Sequence, residues 1–454
     1  MTSHPVAGAH PIAADDPIGP DPIGPDPIVD RVMAHVTRER LLDTVLAVTA
    51  VPSPTGAEAP LARLLAERMV SAGIPADVQY LDPQQANAVG RLRGTGTGAD
   101  LMLYAPIDTL TTGRPDEDLP WIGPELRPDM RPVPEVRGDL VQGLGASNPK
   151  GHAACVLVAV QALAASGVRL GGDVVAGFGA GGMPTFAVPG AGSPGRANTG
   201  HGVGCSFLIE RGWGTDFAVI AKPGWNVSHE EVGLAWFDIL VPGIHTYVGS
   251  RHRLPYANPV VIAAEVITRL ERWLERYPAE HEVGTMLPQG VIGSIAGGWE
   301  RMVAVTPAAV RLRLDLRITP QLSPVAARRE LRDVVTRISA ELDLPLELEL
   351  VAAVPGTHTD PASPVVRAAV GAWERVAREP HTPIRGNSGA TDANILRSRG
   401  IPTARVGMPK VGYGLDGAPP DFAAGMNTVD LGEMRRLTEI LVRTAVNITS
   451  LPAD

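Results

Sequence analysis

Apolar positions follow helical spacing in residues 37–50, where Leu41, Leu42, Val45 and Leu46 fall on one face. Residues 61–70 repeat the pattern, and Gly73 ends it. Two amphipathic helices are therefore predicted near the start of the chain. Their apolar faces are of the kind that covers one side of a β-sheet.

Short apolar runs then alternate with helical patterns, which is typical of strands that are joined through helices. Strands are predicted at 88–92, 101–104, 173–178 and 217–220, with a helix over 153–165. This order predicts an α/β fold with a mostly parallel sheet and helices on both faces. Ligands of such folds bind where the strands end.

A different order of elements begins at about residue 231 and predicts an inserted α+β domain. Its elements are strands at 234–241, 291–296, 310–318 and 346–351 and helices at 258–277 and 324–342. We expect a disordered Pro-rich arm at 1–36, a main domain formed by 37–230 and 352–454, and an insert at 231–351. The insert is a candidate dimerisation or lid domain.

Composition and charge exclude several partners. The net charge is −9 and no basic run is present, so nucleic acid is not an expected partner. No apolar run reaches about 18 residues, and no signal-peptide pattern opens the chain. A cytoplasmic protein without membrane contact is expected. Cys155 and Cys205 lack a CxxC spacing and are expected to be buried small side chains.

The chain uses lysine in three places only, although it contains 40 basic residues. Lys150, Lys222 and Lys410 each lie in a loop that contains glycine or proline. Lysine differs from arginine in that burial can remove its proton. The three lysines are therefore candidate site residues, and chance placement in a chain rich in glycine and proline is the alternative.

Several motifs, taken in order, resemble one hydrolase family. They are Ala105-Pro-Ile-Asp108-Thr, Gly143-Leu-Gly-Ala-Ser-Asn148-Pro-Lys150-Gly, Lys222-Pro, Gly243-Ile-His245 and Asn387-Ser-Gly-Ala-Thr-Asp392-Ala. From about residue 38 to 450 the chain resembles the di-zinc aminoacylase, acetylornithine deacetylase, succinyl-diaminopimelate desuccinylase and carboxypeptidase G family. The resemblance implies two zinc ions that activate a water for amide hydrolysis, and dimerisation through the insert.

The positions that match the family's metal ligands carry other residues here. Pro106 stands in place of a histidine, Asn148 in place of the bridging aspartate, and Lys222 in place of an acidic ligand. The loop Gly179-Ala-Gly-Gly-Met183 lacks the expected glutamates, and no histidine follows His381. Because zinc needs donors of the carboxylate, imidazole or thiolate type, no metal cofactor is expected. The alternative is that other side chains bind a metal, and the candidates are His152, His201, His229, Glu230, Glu231 and Asp392.

The resemblance and the lysines together give a set of candidate site residues. Asp108, Lys150, Lys222 and His245 are the candidate catalytic residues, and Asn148, Arg317, Asn387, Asp392 and Lys410 are the candidate substrate-binding residues. By resemblance, His245 reaches a partner subunit's site and Arg317 lies near a substrate carboxylate. Alternatively, His245 is a surface histidine and Arg317 pairs with Asp315.

These observations predict a hydrolase of the amidohydrolase and peptidase type that acts on an amide, N-acyl or N-carbamoyl bond of a small carboxylate. In this hypothesis the lysines replace part of the positive charge of zinc, and the enzyme is a homodimer. Two alternatives remain open. One is an inactive relative that binds a small carboxylate or peptide, and the other is a metal-free lyase or cyclase that uses a neutral lysine as base or imine-forming nucleophile.

Overall fold

The structure, a computed structural model, describes residues 26–119, 121–185, 200–412, 414–415 and 425–452. The strands are β1 (Ala76–Tyr80), β2 (Ala86–Leu92), β3 (Leu101–Pro106), β4 (Glu135–Arg137), β5 (Leu140–Gln142), β6 (Val174–Gly179), β7 (Phe217–Ala221), β8 (Val227–Ser228), β9 (Glu230–Glu231), β10 (Gly233–Pro242), β11 (Gly290–Gly297), β12 (Ala309–Ile318), β13 (Glu347–Val354), β14 (Thr357–His358), β15 (Thr403–Val406) and β16 (Thr428–Asp430). The helices are α1 (Pro27–Met33), α2 (Arg38–Thr49), α3 (Ala59–Ser71), α4 (Pro115–Asp118), α5 (Lys150–Ser166), α6 (Val203–Glu210), α7 (Pro259–Leu274), α8 (Tyr277–His281), α9 (Pro324–Leu342), α10 (Pro364–Ala377), α11 (Ala393–Ser398) and α12 (Leu431–Thr449).

A seven-stranded sheet with the order β1-β2-β6-β3-β7-β15-β8 forms the centre of the fold. Its four middle strands run parallel, and β1, β2 and β8 join antiparallel at the two edges. The predicted α/β class is confirmed, and the sheet is mixed. The antiparallel edges arise because β1 and β2 follow each other through a short turn rather than through a crossover helix.

Helices cover both faces of this sheet, as the alternation of side chains along β3 shows. Leu101, Leu103 and Ala105 point into the larger core, which α2, α3, α5 and α12 complete. Met102 and Tyr104 point to the opposite face, where α6 and α11 pack. A strand that is apolar on both faces is typical of a sheet buried between two helix layers.

A second sheet, of order β11-β12-β10-β13, is antiparallel throughout. Buried and half-buried residues alternate along β10 and β12, because one face of each strand packs against α7 and α9. This core contains no residue of the larger one. We propose that this sheet and its two helices form the predicted insert.

The prediction of a disordered arm over residues 1–36 is wrong for its last part. Residues 27–33 form α1, and Asp26 caps it by accepting bonds from the backbone N–H groups of Ile28 and Val29. Pro27 stands in the first turn, where a proline favours a helix, and Val29 and Val32 are buried. Residues 1–25 lie outside the described part. Within the described ranges, every helix is too short or too polar to cross a bilayer.

Candidate functional site

Four of the predicted site residues meet at the carboxyl ends of the parallel strands. Asp108 follows β3 and Lys222 follows β7, and these strands are direct neighbours. Asn148 comes just before α5, and Asp392 precedes α11. Each of the four is less than a tenth exposed. The Lys222 amine lies 3.5 Å from Asn148 Oδ1, and the charges of Asp392 and Asp108 both act on it.

The Lys222 amine has few polar contacts for a buried group. Its bond to Asn148 is long, and it forms no ion pair with any carboxylate of the described residues. Burial lowers the pKa of Lys222, and the carboxylates of Asp392 and Asp108 oppose that shift. The amine therefore keeps unused hydrogen-bonding capacity inside the protein.

Asp108, in contrast, accepts hydrogen bonds on both of its carboxylate oxygens. Its Oδ1 accepts a hydrogen bond from Gly182 N at 2.8 Å, and its Oδ2 accepts one from Met183 N at 2.9 Å and one from the Thr55 hydroxyl at 2.7 Å. The acid-free loop 179–183 thus lies directly against the candidate site. A Cβ atom on Gly182 would overlap Pro106 and lie 3.1 Å from Asp392 Oδ2. Only glycine fits at this position without a shift of its neighbours.

Glu58, a residue that the sequence analysis missed, holds the same loop from the other side. Its Oε1 accepts bonds from the backbone N–H groups of Gly56 at 3.0 Å and Gly181 at 2.9 Å and from the Gln85 amide at 3.3 Å. Burial and the nearby charge of Asp108 raise the pKa of Glu58 from 4.5 to about 8. Glu58 is therefore protonated at neutral pH.

Asp392 is bonded to a tyrosine that the sequence analysis also missed. The Tyr104 hydroxyl donates to Asp392 Oδ2 at 2.6 Å, and both side chains are buried. Burial raises the pKa of Asp392 to about 6, although the bond from Tyr104 and the charge of Lys222 lower it. Asp392 thus exchanges its proton near neutral pH. The hydroxyl on an otherwise apolar strand was the signal for Tyr104 in the sequence.

A buried ion pair lies close to this group. Arg405 Nη1 is 3.2 Å from Glu231 Oε1, and the Thr391 hydroxyl donates to Glu231 Oε2 at 2.6 Å. The second terminal nitrogen of Arg405 donates to the carbonyl oxygen of Pro223, next to Lys222. The charge of Arg405 acts on Lys222 and lowers its pKa. Arg405 is therefore a second positive group that acts electrostatically on the Lys222 amine.

The structure does not bring the three lysines together. The Lys150 amine points to the end of α2, where it donates to the carbonyl oxygens of Val51 at 2.7 Å and Thr49 at 3.4 Å. Burial alone lowers the pKa of Lys150 to about 7, with no charged group contributing. Lys410 is exposed. A joint role of Lys150 and Lys222 at one reacting centre therefore does not follow from this geometry.

In the described part of the chain, no hydrogen bond or ion pair joins Lys222 to the remaining predicted residues. His245 is exposed on the second sheet's side, and its Nδ1 donates to the Thr306 carbonyl at 2.7 Å. Arg317 pairs with Asp315 at 2.9 Å, as the alternative interpretation proposed. The backbone of Asn387 bonds to Thr285 and Leu287 and so links the loop before Asp392 to the segment before β11.

The donors in the described residues do not fit a two-metal centre. No group of three histidine, cysteine or acidic side chains is arranged to hold a metal ion in residues 26–119, 121–185, 200–412, 414–415 and 425–452. Both Asp108 oxygens accept hydrogen bonds within the protein, and the nearby Lys222 offers an amine rather than a carboxylate. Among the alternative donors, His152 has a ring nitrogen left without a hydrogen bond in the described residues. Its Nδ1 bonds to the Ser147 carbonyl at 2.8 Å, and its buried Nε2 has no hydrogen-bond partner in the described part of the chain.

Comparisons with solved structures identify the fold. Human carnosine dipeptidase 1 superposes with a TM-score of 0.68 at 14% identity, covering 94% of this chain and 100% of that one. The aminopeptidase PepT of Bacillus cereus gives 0.62 at 17% identity, covering 91% and 99%. The YXEP protein of Bacillus subtilis, a dinuclear metal-binding peptidase of the M20 family, gives 0.59 at 14% identity, covering 90% and 97%. No family model matches the sequence. The predicted resemblance is confirmed as a shared fold.

The same comparisons correct the prediction about cofactors. The expectation of no cofactor rested on Pro106, Asn148, Lys222 and the acid-free loop 179–183. It is contradicted by the similarity to a dinuclear metal-binding peptidase, which points to metal cofactors for this fold. The donors of the described residues, however, do not fit two metal ions.

Proposed function

We propose that this protein is a hydrolase of the amidohydrolase and peptidase type that acts on a C–N bond of a small carboxylate-bearing substrate. The peptidase fold supports the class of reaction. The observation that carries the proposal is the buried group formed by Asp108, Asn148, Lys222 and Asp392 at the carboxyl ends of adjacent parallel strands. Titratable residues with shifted pKa values at this edge of an α/β sheet are typical of active sites.

Within this group, Lys222 and Asp392 have the properties that the reaction needs. The Lys222 amine has free hydrogen-bonding capacity and is the proposed donor to the oxygen of the reacting carbonyl. Removal of one such donor typically reduces kcat by about 10²–10³-fold. Asp392 is the proposed proton-transfer group, because its pKa of about 6 lies near neutral pH. Asp108 is the proposed positioning residue for loop 179–183, because it accepts hydrogen bonds from Gly182 and Met183.

The experiment measures turnover of N-acyl amino acids, N-carbamoyl amino acids and dipeptides, each with added Zn²⁺ and with chelator. We expect turnover by the wild-type protein and a loss of about 10²–10³-fold in Lys222→Met. Arg399→Gln is the matched control, because Arg399 forms an exposed ion pair with Glu210. Circular dichroism confirms that each variant is folded. Equal rates in Lys222→Met and wild type contradict the assigned role of Lys222.

A second candidate is a binding protein without hydrolytic activity. The hydrogen bonds that Asp108 accepts from Gly182, Met183 and Thr55 favour it, because a carboxylate with both oxygens so engaged is a poor base for activating a water. In that case an N-acyl amino acid raises the melting temperature while no product forms. Absence of both turnover and thermal stabilisation across the panel contradicts both candidates.

We further propose a homodimer that forms through the second sheet. Its edge strand β11 carries Val291 and Ile295 at 54% and 57% exposure, and an edge strand with exposed apolar residues readily pairs with another chain. Analytical ultracentrifugation tests this. We expect Val291→Lys with Ile295→Lys to be monomeric. Val325→Lys, which adds a charge at an exposed valine of α9, leaves the dimer intact if β11 is the interface.

A further inference from the structure

The side chain of Tyr104 lies against two glycines of the neighbouring strand β6. In the parallel pair of β3 and β6, Tyr104 is the register partner of Gly177, and Gly179 lies two residues further along. A Cβ atom on Gly177 would lie 3.0 Å from the Tyr104 ring, and a Cβ atom on Gly179 would overlap the Tyr104 hydroxyl. The hydroxyl therefore occupies space that a side chain at position 179 would need.

The hydroxyl of Tyr104 contacts only one of the two oxygens of Asp392. It donates a hydrogen bond to Oδ2 at 2.6 Å, and both side chains are buried. No residue in the described ranges donates a hydrogen bond to Oδ1. The two oxygens of this carboxyl group therefore differ in their surroundings. A carboxyl group that accepts a hydrogen bond on one oxygen is free to carry its proton on the other.

Tyr104 is a rigid donor in this pair. Its ring belongs to the apolar core that Leu208 of α6 and Leu396 of α11 complete, so packing on this side fixes the direction of the hydroxyl. Burial and the charge of Asp392 raise the pKa of Tyr104 well above its usual value. The phenol therefore stays protonated, and it can donate to Asp392 whether the carboxyl group is charged or neutral.

We propose that Tyr104 is a positioning residue that holds the Asp392 carboxyl group through Oδ2 and leaves Oδ1 as the oxygen that binds and releases a proton. The inference rests on the proposed function, in which Asp392 is the proton-transfer group. The charges of Lys222, Asp108 and Glu231 also act on Asp392. In the described part of the chain, however, none of these three residues forms a hydrogen bond or ion pair with its carboxyl group. The bond from Tyr104 is therefore the contact that orients it.

The first measurement is the infrared carbonyl band of protonated Asp392 in the full-length protein, recorded about one pH unit below its pKa of about 6. This band is the one that Asp392→Asn lacks. A carbonyl group that accepts a hydrogen bond absorbs at lower wavenumber than a free one, so the band should move to higher wavenumber in Tyr104→Phe. Tyr277→Phe is the matched control, because it removes another buried tyrosine hydroxyl, which donates to the Arg317 carbonyl at 2.9 Å. It should leave the band in place.

The second measurement is the steady-state kinetics of Tyr104→Phe with a substrate that the wild type hydrolyses. We expect kcat to fall by about 10–100-fold, because a proton-transfer group that is no longer held in place slows the reaction. KM should stay within about twofold of the wild-type value, since the bond from Tyr104 holds Asp392 rather than the substrate. A merely structural role for Tyr104 would reduce the folded fraction without moving the Asp392 band.

Two results would overturn the proposal. They are an Asp392 band at the same wavenumber in Tyr104→Phe and wild type, and a shifted band with unchanged kcat. If no substrate is hydrolysed, the proposed function fails, and the band alone decides whether Tyr104 orients Asp392. If Tyr104→Phe does not fold, wild-type protein grown with ring-fluorinated tyrosine decides. Its more acidic hydroxyl is a stronger donor and should move the band to lower wavenumber, whereas an unmoved band overturns the proposal.

Discussion

Replacement of Lys150 by methionine tests whether a lysine is neutral inside this fold. The side chain is fully buried, and among the described residues its amine bonds only to the carbonyls of Val51 and Thr49. Burial lowers the pKa of Lys150 from 10.5 to about 7. Methionine has nearly the same length, does not ionise and leaves those two carbonyls without the amine.

The sign of the effect follows from proton binding. Between pH 7 and 10.5 the unfolded chain holds a proton on Lys150 and the native protein does not. The free energy of unfolding of the wild type therefore rises with pH, by roughly 1 kcal/mol per pH unit. Over the whole interval this single group changes the free energy of unfolding by about 5 kcal/mol. The contribution is lost as the pH falls toward 7, and the methionine variant has no such term.

Urea unfolding near pH 7.5, 8.5 and 9.5 measures the difference between wild type and Lys150→Met. Other groups titrate alike in both proteins, so the trend in the difference isolates Lys150. Arg328→Met is the control, because it removes a positive charge from an exposed helical position and should give a constant difference. A difference that stays flat or reverses with pH in Lys150→Met refutes the neutral buried lysine.

Three further substitutions test the residues around Lys222. Glu58→Gln should gain roughly 1 kcal/mol per pH unit over wild type from about pH 5 to 8 in urea unfolding, because native Glu58 is protonated and the unfolded chain is not. A difference in unfolding free energy between the two proteins that does not change with pH contradicts this. Gly182→Ala should lose about 1–3 kcal/mol of stability, since its Cβ would overlap neighbours, whereas Gly371→Ala in open space should not be destabilised. Tyr104→Phe should lose about 1–3 kcal/mol by removing the hydrogen bond to Asp392, and an unchanged melting temperature would contradict that bond.

The sequence predicted the fold well because the hydrophobic patterns were long. Residues 324–342 were predicted as a helix and form α9, and 310–318 was predicted as a strand and lies within β12. The elements that were missed are short. β8 and β9 contain two residues each, and their existence depends on partners distant in sequence rather than on a local pattern.

The site was only partly predictable, and Lys150 and Lys222 show why. Both occupy loops that resemble family motifs, and sequence spacing places both near the strand ends. The direction of the side chain decided the outcome. Lys150 begins α5 with its amine toward the end of α2, while Lys222 continues β7 toward Asn148. The direction of a side chain at a loop is determined by tertiary packing, and a short sequence motif does not contain that information.

Loop 179–183 and Lys222 both offset the unfavourable burial of nearby carboxyl groups. Asp108, Asp392 and Glu58 bring three carboxyl groups into one buried region, and each would be unstable there without compensation. Loop 179–183 supplies three backbone N–H donors to Asp108 and Glu58, and an acidic side chain at Gly182 would instead face Asp108 and Asp392. Lys222 adds a group whose positive form opposes the same charges. Glycine at position 182 and lysine at position 222 therefore meet the same requirement, since neither adds to the repulsion among the three carboxyl groups.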